Sequence, residues 1–188
     1  MILIDFKVAQ YKSFYNQATD LAAVGNKEAA VALYDRAIEC KGDRPEAWYN
    51  RGNALAALGR TEAAIASYDK ALGLNPEKHE AWYNRGLELV SLGRYEAAIE
   101  SYAQAIAIKA DKHEAWYNRA CAYALLGQAE AAIQNLKQAI LLEPGHYQRL
   151  AQTDTDFNAI RHHNAFPMVL TPVLTLREGS FRDGPNQG

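Results

Sequence analysis

The sequence predicts an all-α protein, a solenoid of stacked antiparallel helix pairs with a C-terminal capping helix. The string EAWYNR occurs three times at equal spacing, starting at Glu46, Glu80 and Glu114. A glycine follows each copy near the middle of the unit, where a helix would end and the chain would turn. Alanine and aromatic residues recur at helical spacing around that glycine. The period of this pattern, about 34 residues, is typical of a unit made of two helices.

The period divides most of the chain into such units. One period before Trp48 the sequence has Phe14, so a diverged first copy is predicted before the three clear ones. The period breaks after residue 146 although apolar residues continue, and this segment is expected to cover the exposed face of the last unit. The predicted segments are residues 1–10, an N-terminal extension; 11–44, 45–78, 79–112 and 113–146, four repeats; 147–168, a capping segment; and 169–188, a flexible tail.

Each unit is predicted to contain two helices that pack on one another. The apolar and small residues of 46–58 fall on one stripe of a helix, at Trp48, Gly52, Leu55 and Leu58. Gly59 would end this helix, and residues 62–74 would form the second one. We expect Gly52 to face Ala64, so that the two helices approach closely. Because one pair cannot bury its stripe alone, the pairs should stack and leave a concave face lined by the first helices.

In these features each copy resembles a tetratricopeptide repeat. The aromatic slot of that family holds Phe14, Trp48, Trp82 and Trp116, and the mid-repeat glycine slot holds Gly25, Gly59, Gly93 and Gly127. The chain departs from the family at the closing proline, which is present only as Pro76 and Pro144, and at Leu136, where the other copies have tyrosine. Arginine also fills a slot that is often apolar, at Arg51, Arg85 and Arg119, and the sequence does not indicate what these side chains contact. The resemblance covers residues 11–146 and implies a protein that binds other proteins.

The resemblance also implies where a ligand would bind. In this family ligands usually lie along the first helices, and the matching slots form a trough of tyrosine and asparagine with a small apolar floor. The implied groove residues are Tyr15, Asn16, Tyr49, Asn50, Asn53, Tyr83, Asn84, Leu87, Tyr117, Asn118 and Cys121. The alternative is that these tyrosines and asparagines serve packing between repeats. The lysine and arginine clamp with which co-chaperone members bind a C-terminal carboxylate is missing from the matching slots.

Composition and motifs argue against several classes of function. A net charge of −2 gives no electrostatic reason to expect a nucleic acid or a membrane surface as partner. No apolar run is long enough to insert in a bilayer, and the two cysteines lie in different repeats, so we predict a reduced, cytoplasmic protein. The two HEAWY strings lack the second histidine of a zinc-binding H-E-x-x-H motif. With no nucleotide-binding or nucleophile motif either, we predict no metal, no cofactor and no enzyme activity.

The sequence therefore predicts a protein–protein interaction module, a scaffold, adaptor or assembly factor that holds a peptide segment of an unidentified partner in its concave groove. Two other interpretations remain open. One is a structural repeat protein that associates with itself as a homo-oligomer. The other is a regulatory subunit of an enzyme.

Overall fold

The computed structural model describes residues 2–171, with side chains described from Phe6 onward. These residues form helices and no strand, which confirms the all-α solenoid of helix pairs. Residues 172–188, most of the predicted tail, lie outside the described part. The elements are α1 (Ile2–Ala23), α2 (Lys27–Cys40), α3 (Pro45–Ala57), α4 (Thr61–Leu74), α5 (His79–Ser91), α6 (Tyr95–Ile108), α7 (His113–Leu125), α8 (Ala129–Leu142), α9 (His146–Thr153), a 3-10 helix (Thr155–Ile160) and α10 (Ala165–Leu170).

The mid-repeat glycines turn the chain between the two helices of each repeat. Their φ angles are all positive, a region that residues with a β-carbon rarely adopt. The angles are 88° at Gly25, 69° at Gly59, 69° at Gly93 and 70° at Gly127. The chain therefore reverses direction at the same point in every repeat.

Small residues allow the helices of a pair to pack closely. Ala64 and its counterparts in the other repeats are fully buried. Gly52 faces the ring of Tyr68, since a β-carbon on Gly52 would lie 2.6 Å from Cε1 of that ring. A β-carbon on Gly86 would lie 2.5 Å from Tyr102 in the same way. The ring of Tyr68 therefore fills the space that the missing β-carbon of Gly52 leaves, and the expected contact of Gly52 with Ala64 stays a prediction.

The tryptophans join α3, α5 and α7 to the loops that precede them. The indole nitrogen of Trp48 donates to the carbonyl oxygen of Gly42 at 2.9 Å, and that of Trp82 donates to Pro76 at 2.8 Å. Trp116 does the same with Ala110 at 2.9 Å. These acceptors occupy the slot of the closing proline. Because a backbone carbonyl makes the contact, the side chain at this slot can vary, which explains the departures from proline.

The first helices α1, α3, α5 and α7 contact one another in sequence and form one surface, here called the first-helix face. Residues 2–10 continue α1 without interruption. At the other end, α9 and α10 pack on α8, and the 3-10 helix packs on α7. The helix α10 extends to Leu170, beyond the predicted start of the tail at residue 169, and it lies against α8 and α9 rather than on the first-helix face.

Candidate interaction site on the first-helix face

Tyrosine and asparagine form a hydrogen-bonded row along the first-helix face. In each of three adjacent pairs of repeats, the asparagine amide donates to the tyrosine hydroxyl of the repeat before it. The bonds join Asn50 to Tyr15 at 2.8 Å, Asn84 to Tyr49 at 3.3 Å and Asn118 to Tyr83 at 3.0 Å. These side chains are partly buried, whereas Asn16, which has no repeat before it, is exposed. The row therefore joins neighbouring repeats and still offers part of its surface to solvent.

Two lysines that sequence reasoning missed cover one side of this row. The ammonium of Lys78 lies 4.4 Å from the centre of the Tyr49 ring, and that of Lys112 lies 4.3 Å from the Tyr83 ring. A cation at this distance from an aromatic face is attracted by the ring quadrupole. The signal was present in the sequence, because the two lysines are themselves one period apart and end their repeats.

The residue at the ninth position of each repeat changes the polarity of the face. In the second repeat, Asn53 accepts from the hydroxyl of Tyr68 at 2.9 Å and from the amide of Asn84 at 2.9 Å. Leu87 holds this position in the third repeat, and the buried hydroxyl of Tyr102 has no partner there among the described residues. Leu87 is itself 38% exposed. The face thus carries an exposed apolar side chain in the middle of a polar row.

Two predicted groove residues are not available on this face. Tyr117 is 5% exposed and Cys121 is 6% exposed. The hydroxyl of Tyr117 donates to Oδ2 of Asp154 at 2.6 Å, and its ring stacks on Tyr147 with the centres 4.7 Å apart. The expectation that both side chains line an open groove is corrected for this reason: the segment after the fourth repeat covers them. Asp154 takes the place that the asparagine of a following repeat would have.

Comparisons with known proteins agree with the fold. Tetratricopeptide repeat models match residues 15–79, 51–113 and 113–146, which is more than half of the chain. The chain belongs to the tetratricopeptide repeat family. The family and the fold make it a protein-interaction module of the scaffold type. No curated protein is similar enough in sequence to be matched to it.

Solved structures of other tetratricopeptide proteins share the fold. MamA 41-end from Desulfovibrio magneticus RS-1 is 26% identical, with a TM-score of 0.71, over 86% of this chain and 93% of that one. A crystal structure of MamA is 25% identical, with a TM-score of 0.70, over 76% of this chain and 81% of that one. PilF of Pseudomonas aeruginosa is 16% identical, with a TM-score of 0.62, over 73% of this chain and 63% of that one, and shows the fold alone.

The open part of this tetratricopeptide surface lies toward its N-terminal end. A pocket of about 280 Å³ lies between α1 and α3 and is lined by Thr19, Ala22, Lys27, Asn50 and Asn53 among others. Its lining combines a cation, two amides and small apolar residues.

Within residues 2–171, no helix has both the length and the apolar character needed to cross a bilayer.

The covered end brings together three side chains of metal-binding type. Ligand atoms of Cys121, Asp154 and Asp156 lie within 4.8 Å of one another. Burial and the two nearby carboxylates raise the pKa of the Cys121 thiol well above its usual value, and only a thiolate binds metal well. Asp154 already accepts from Tyr117 and, through Oδ1, from the backbone N–H of Asp156 at 3.0 Å. The contacts of these groups are therefore those of a packed cap.

Proposed function

We propose that the open part of the first-helix face binds a peptide segment of a partner protein. This surface consists of Tyr15, Asn16, Tyr49, Asn50, Asn53, Tyr83, Asn84, Leu87 and Asn118. The observation that supports the proposal most directly is that the two ends of the first-helix face differ in solvent exposure. The segment after the fourth repeat buries Tyr117 and Cys121, while the strip from Tyr15 to Leu87 stays partly exposed beside its two lysines.

The chemistry of the strip suits a peptide. Asn50 and Asn118 each donate one N–H in the row, so each amide keeps a second N–H and a carbonyl oxygen that a peptide backbone could pair with. Asn84 donates to both Tyr49 and Asn53 and offers its carbonyl oxygen. Leu87 offers apolar area beside them, and the ring edges of Tyr49 and Tyr83 add more. Aromatic side chains contribute contact area at a low cost in conformational entropy.

The test is a charge placed on the exposed leucine. We expect Leu87→Glu to weaken binding of a partner captured by affinity purification by about 1–2 kcal/mol or more, because a buried apolar contact would become a desolvated carboxylate. Leu74→Glu is the matched control: Leu74 is 44% exposed, close to the 38% of Leu87, but lies at the end of a second helix. Equal binding by the two variants, with both folded by circular dichroism, would move the binding site away from the first-helix face.

Self-association is a second candidate, and an observation at the N-terminal end favours it. Phe6 is exposed on the part of α1 that precedes the repeats. Sedimentation at several concentrations distinguishes the two functions, because a partner-binding monomer keeps one mass while a self-associating chain gains mass with concentration.

A further inference from the structure

The arginines at the seventh position of three repeats share a position but not an environment. In the second repeat, Nε of Arg51 donates to Oδ1 of Asp35 at 2.6 Å and Nη1 donates to Oγ of Ser67 at 2.8 Å. In the third repeat, Arg85 donates to Asp69 at 2.7 Å and to Ser101 at 2.6 Å. Each arginine thus binds a carboxylate from the preceding repeat and a serine from its own second helix.

The fourth repeat has the arginine without these partners. The aspartate position holds Ala103 and the serine position holds Asn135. Among the described residues, the buried Nε of Arg119 has no hydrogen-bond partner, and Nη2 reaches only the hydroxyl of Tyr123 at 3.3 Å. Asn135 is 7% exposed; its amide nitrogen donates to the carbonyl of Ala131 at 2.8 Å, while its Oδ1 has no partner in the same part of the chain. The two positions that are hydrogen-bonded to one another in the second and third repeats thus hold an unpaired buried donor and an unpaired buried acceptor in the fourth. Each such group carries a desolvation cost.

A pocket opens at this position between α7 and α8. Its volume is about 480 Å³, and the described residues that line it include two cations, Arg119 and Lys137, and no carboxylate. The remaining lining residues are aromatic, amide or alanine: Trp116, Tyr123, Ala131, Gln134, Asn135 and Gln138. The pocket is separate from the first-helix face, because α8 supplies most of its lining.

We infer that this pocket binds an acidic side chain of a partner protein, with the guanidinium of Arg119 donating to its carboxylate. The chain itself shows the fit, because Asp35 and Asp69 bind the equivalent arginines at 2.6 and 2.7 Å. Guanidinium and carboxylate form strong charge-assisted hydrogen bonds. The backbone N–H of the bound acidic residue provides the donor that Oδ1 of Asn135 lacks. Arg119 turns from Tyr123 toward the position that Arg51 and Arg85 hold.

The arginine Nε–H signals of the full chain, followed by ¹H–¹⁵N NMR, test this inference. The probe is acetyl-aspartate amide, and acetyl-asparagine amide is its uncharged control. We expect the Arg119 signal to shift saturably with the aspartate probe alone, while the signals of Arg51 and Arg85 stay in place because their carboxylates are already bound. A missing shift at Arg119, or an equal shift with the asparagine probe, overturns the inference without any variant having to fold.

Two variants sharpen the result. Ala103→Asp restores the missing carboxylate, so the Arg119 signal should start near those of Arg51 and Arg85, and the probe should bind about tenfold more weakly or worse. Ala103→Asn is the control of similar size and should keep the response of the parent. Equal probe binding in all three chains would overturn the inference. A last variant, Glu178→Gln combined with Asp183→Asn, is measured without probe. If its Arg119 signal differs from that of the parent, the pocket is occupied by a carboxylate of this chain rather than of a partner, and the inference is overturned.

Discussion

Tyr83 and Tyr117 lie at the same position of two adjacent repeats, within the identical string HEAWYNR. Tyr83 keeps part of its ring at the surface and bonds to the asparagine of the next repeat, while Tyr117 is buried and bonds to Asp154. The local sequence is the same, so the difference comes from the segment that packs after each repeat. Exposure along the first-helix face is therefore set by the neighbouring unit, and a repeated string does not by itself mark a repeated binding site.

The largest effect is expected where the cap holds the last repeat. Phe157, on the 3-10 helix, is fully buried, and its ring lies 5.8 Å from Tyr117 and 5.5 Å from Phe166, measured between ring centres. Phe157→Ala should lower the free energy of unfolding by about 3–5 kcal/mol, since it leaves a cavity in the cap. Urea unfolding followed by circular dichroism measures this loss. A loss below about 1 kcal/mol would mean that the cap is not packed on the fourth repeat as described.

The same substitution at both tyrosines separates the covered end from the open one. Tyr117→Phe removes the hydroxyl that donates to Oδ2 of Asp154, and hydrogen bonds to charged groups contribute about 1.5–3 kcal/mol. Tyr83→Phe removes a bond between neutral, partly exposed groups, for which about 0.5–1.5 kcal/mol is expected. Urea unfolding of the two variants compares them directly. Equal losses would show that covering by the cap does not strengthen the interaction.

The smallest effect concerns pH at the covered end. Burial and the neighbouring carboxylate of Asp154 raise the pKa of Asp156, which also lies beside Cys121. A carboxyl whose pKa is raised by folding contributes stability while it is protonated, and this contribution is lost as the pH rises through the folded-state pKa. Asp156→Asn should therefore melt at a higher temperature than the parent at pH 7, and the difference should shrink as the pH falls toward about 4. A difference that grows on acidification would reverse the sign of the argument. Asp20→Asn, at an exposed position of α1, is the control.

The repeat period predicts the fold, and two further separations in the sequence indicate the contacts between repeats. The tyrosine and asparagine of each bond are 35 residues apart, and each paired arginine has its aspartate 16 residues before it and its serine 16 residues after it. The unpaired state of Arg119 could thus be predicted from Ala103. The burial of Tyr117 could not, because Asp154 and Tyr147 belong to a segment that breaks the period. Their contacts depend on how α9 and the 3-10 helix turn back onto α7.

The regular separations of 35 and 16 residues also determine which piece of the chain could serve as a spacer. A copy of residues 45–78 inserted after Lys78 would keep every tyrosine-to-asparagine bond. The arginines on both sides of the junction would still pair with an aspartate, since the inserted copy contains Asp69. A copy of residues 79–112 inserted after Lys112 would instead carry Ala103 twice and create a second arginine without a carboxylate. Duplicating residues 45–78 would therefore lengthen the molecule without adding an arginine that lacks a carboxylate. Duplicating residues 79–112 would add one, although the two segments are nearly alike in sequence.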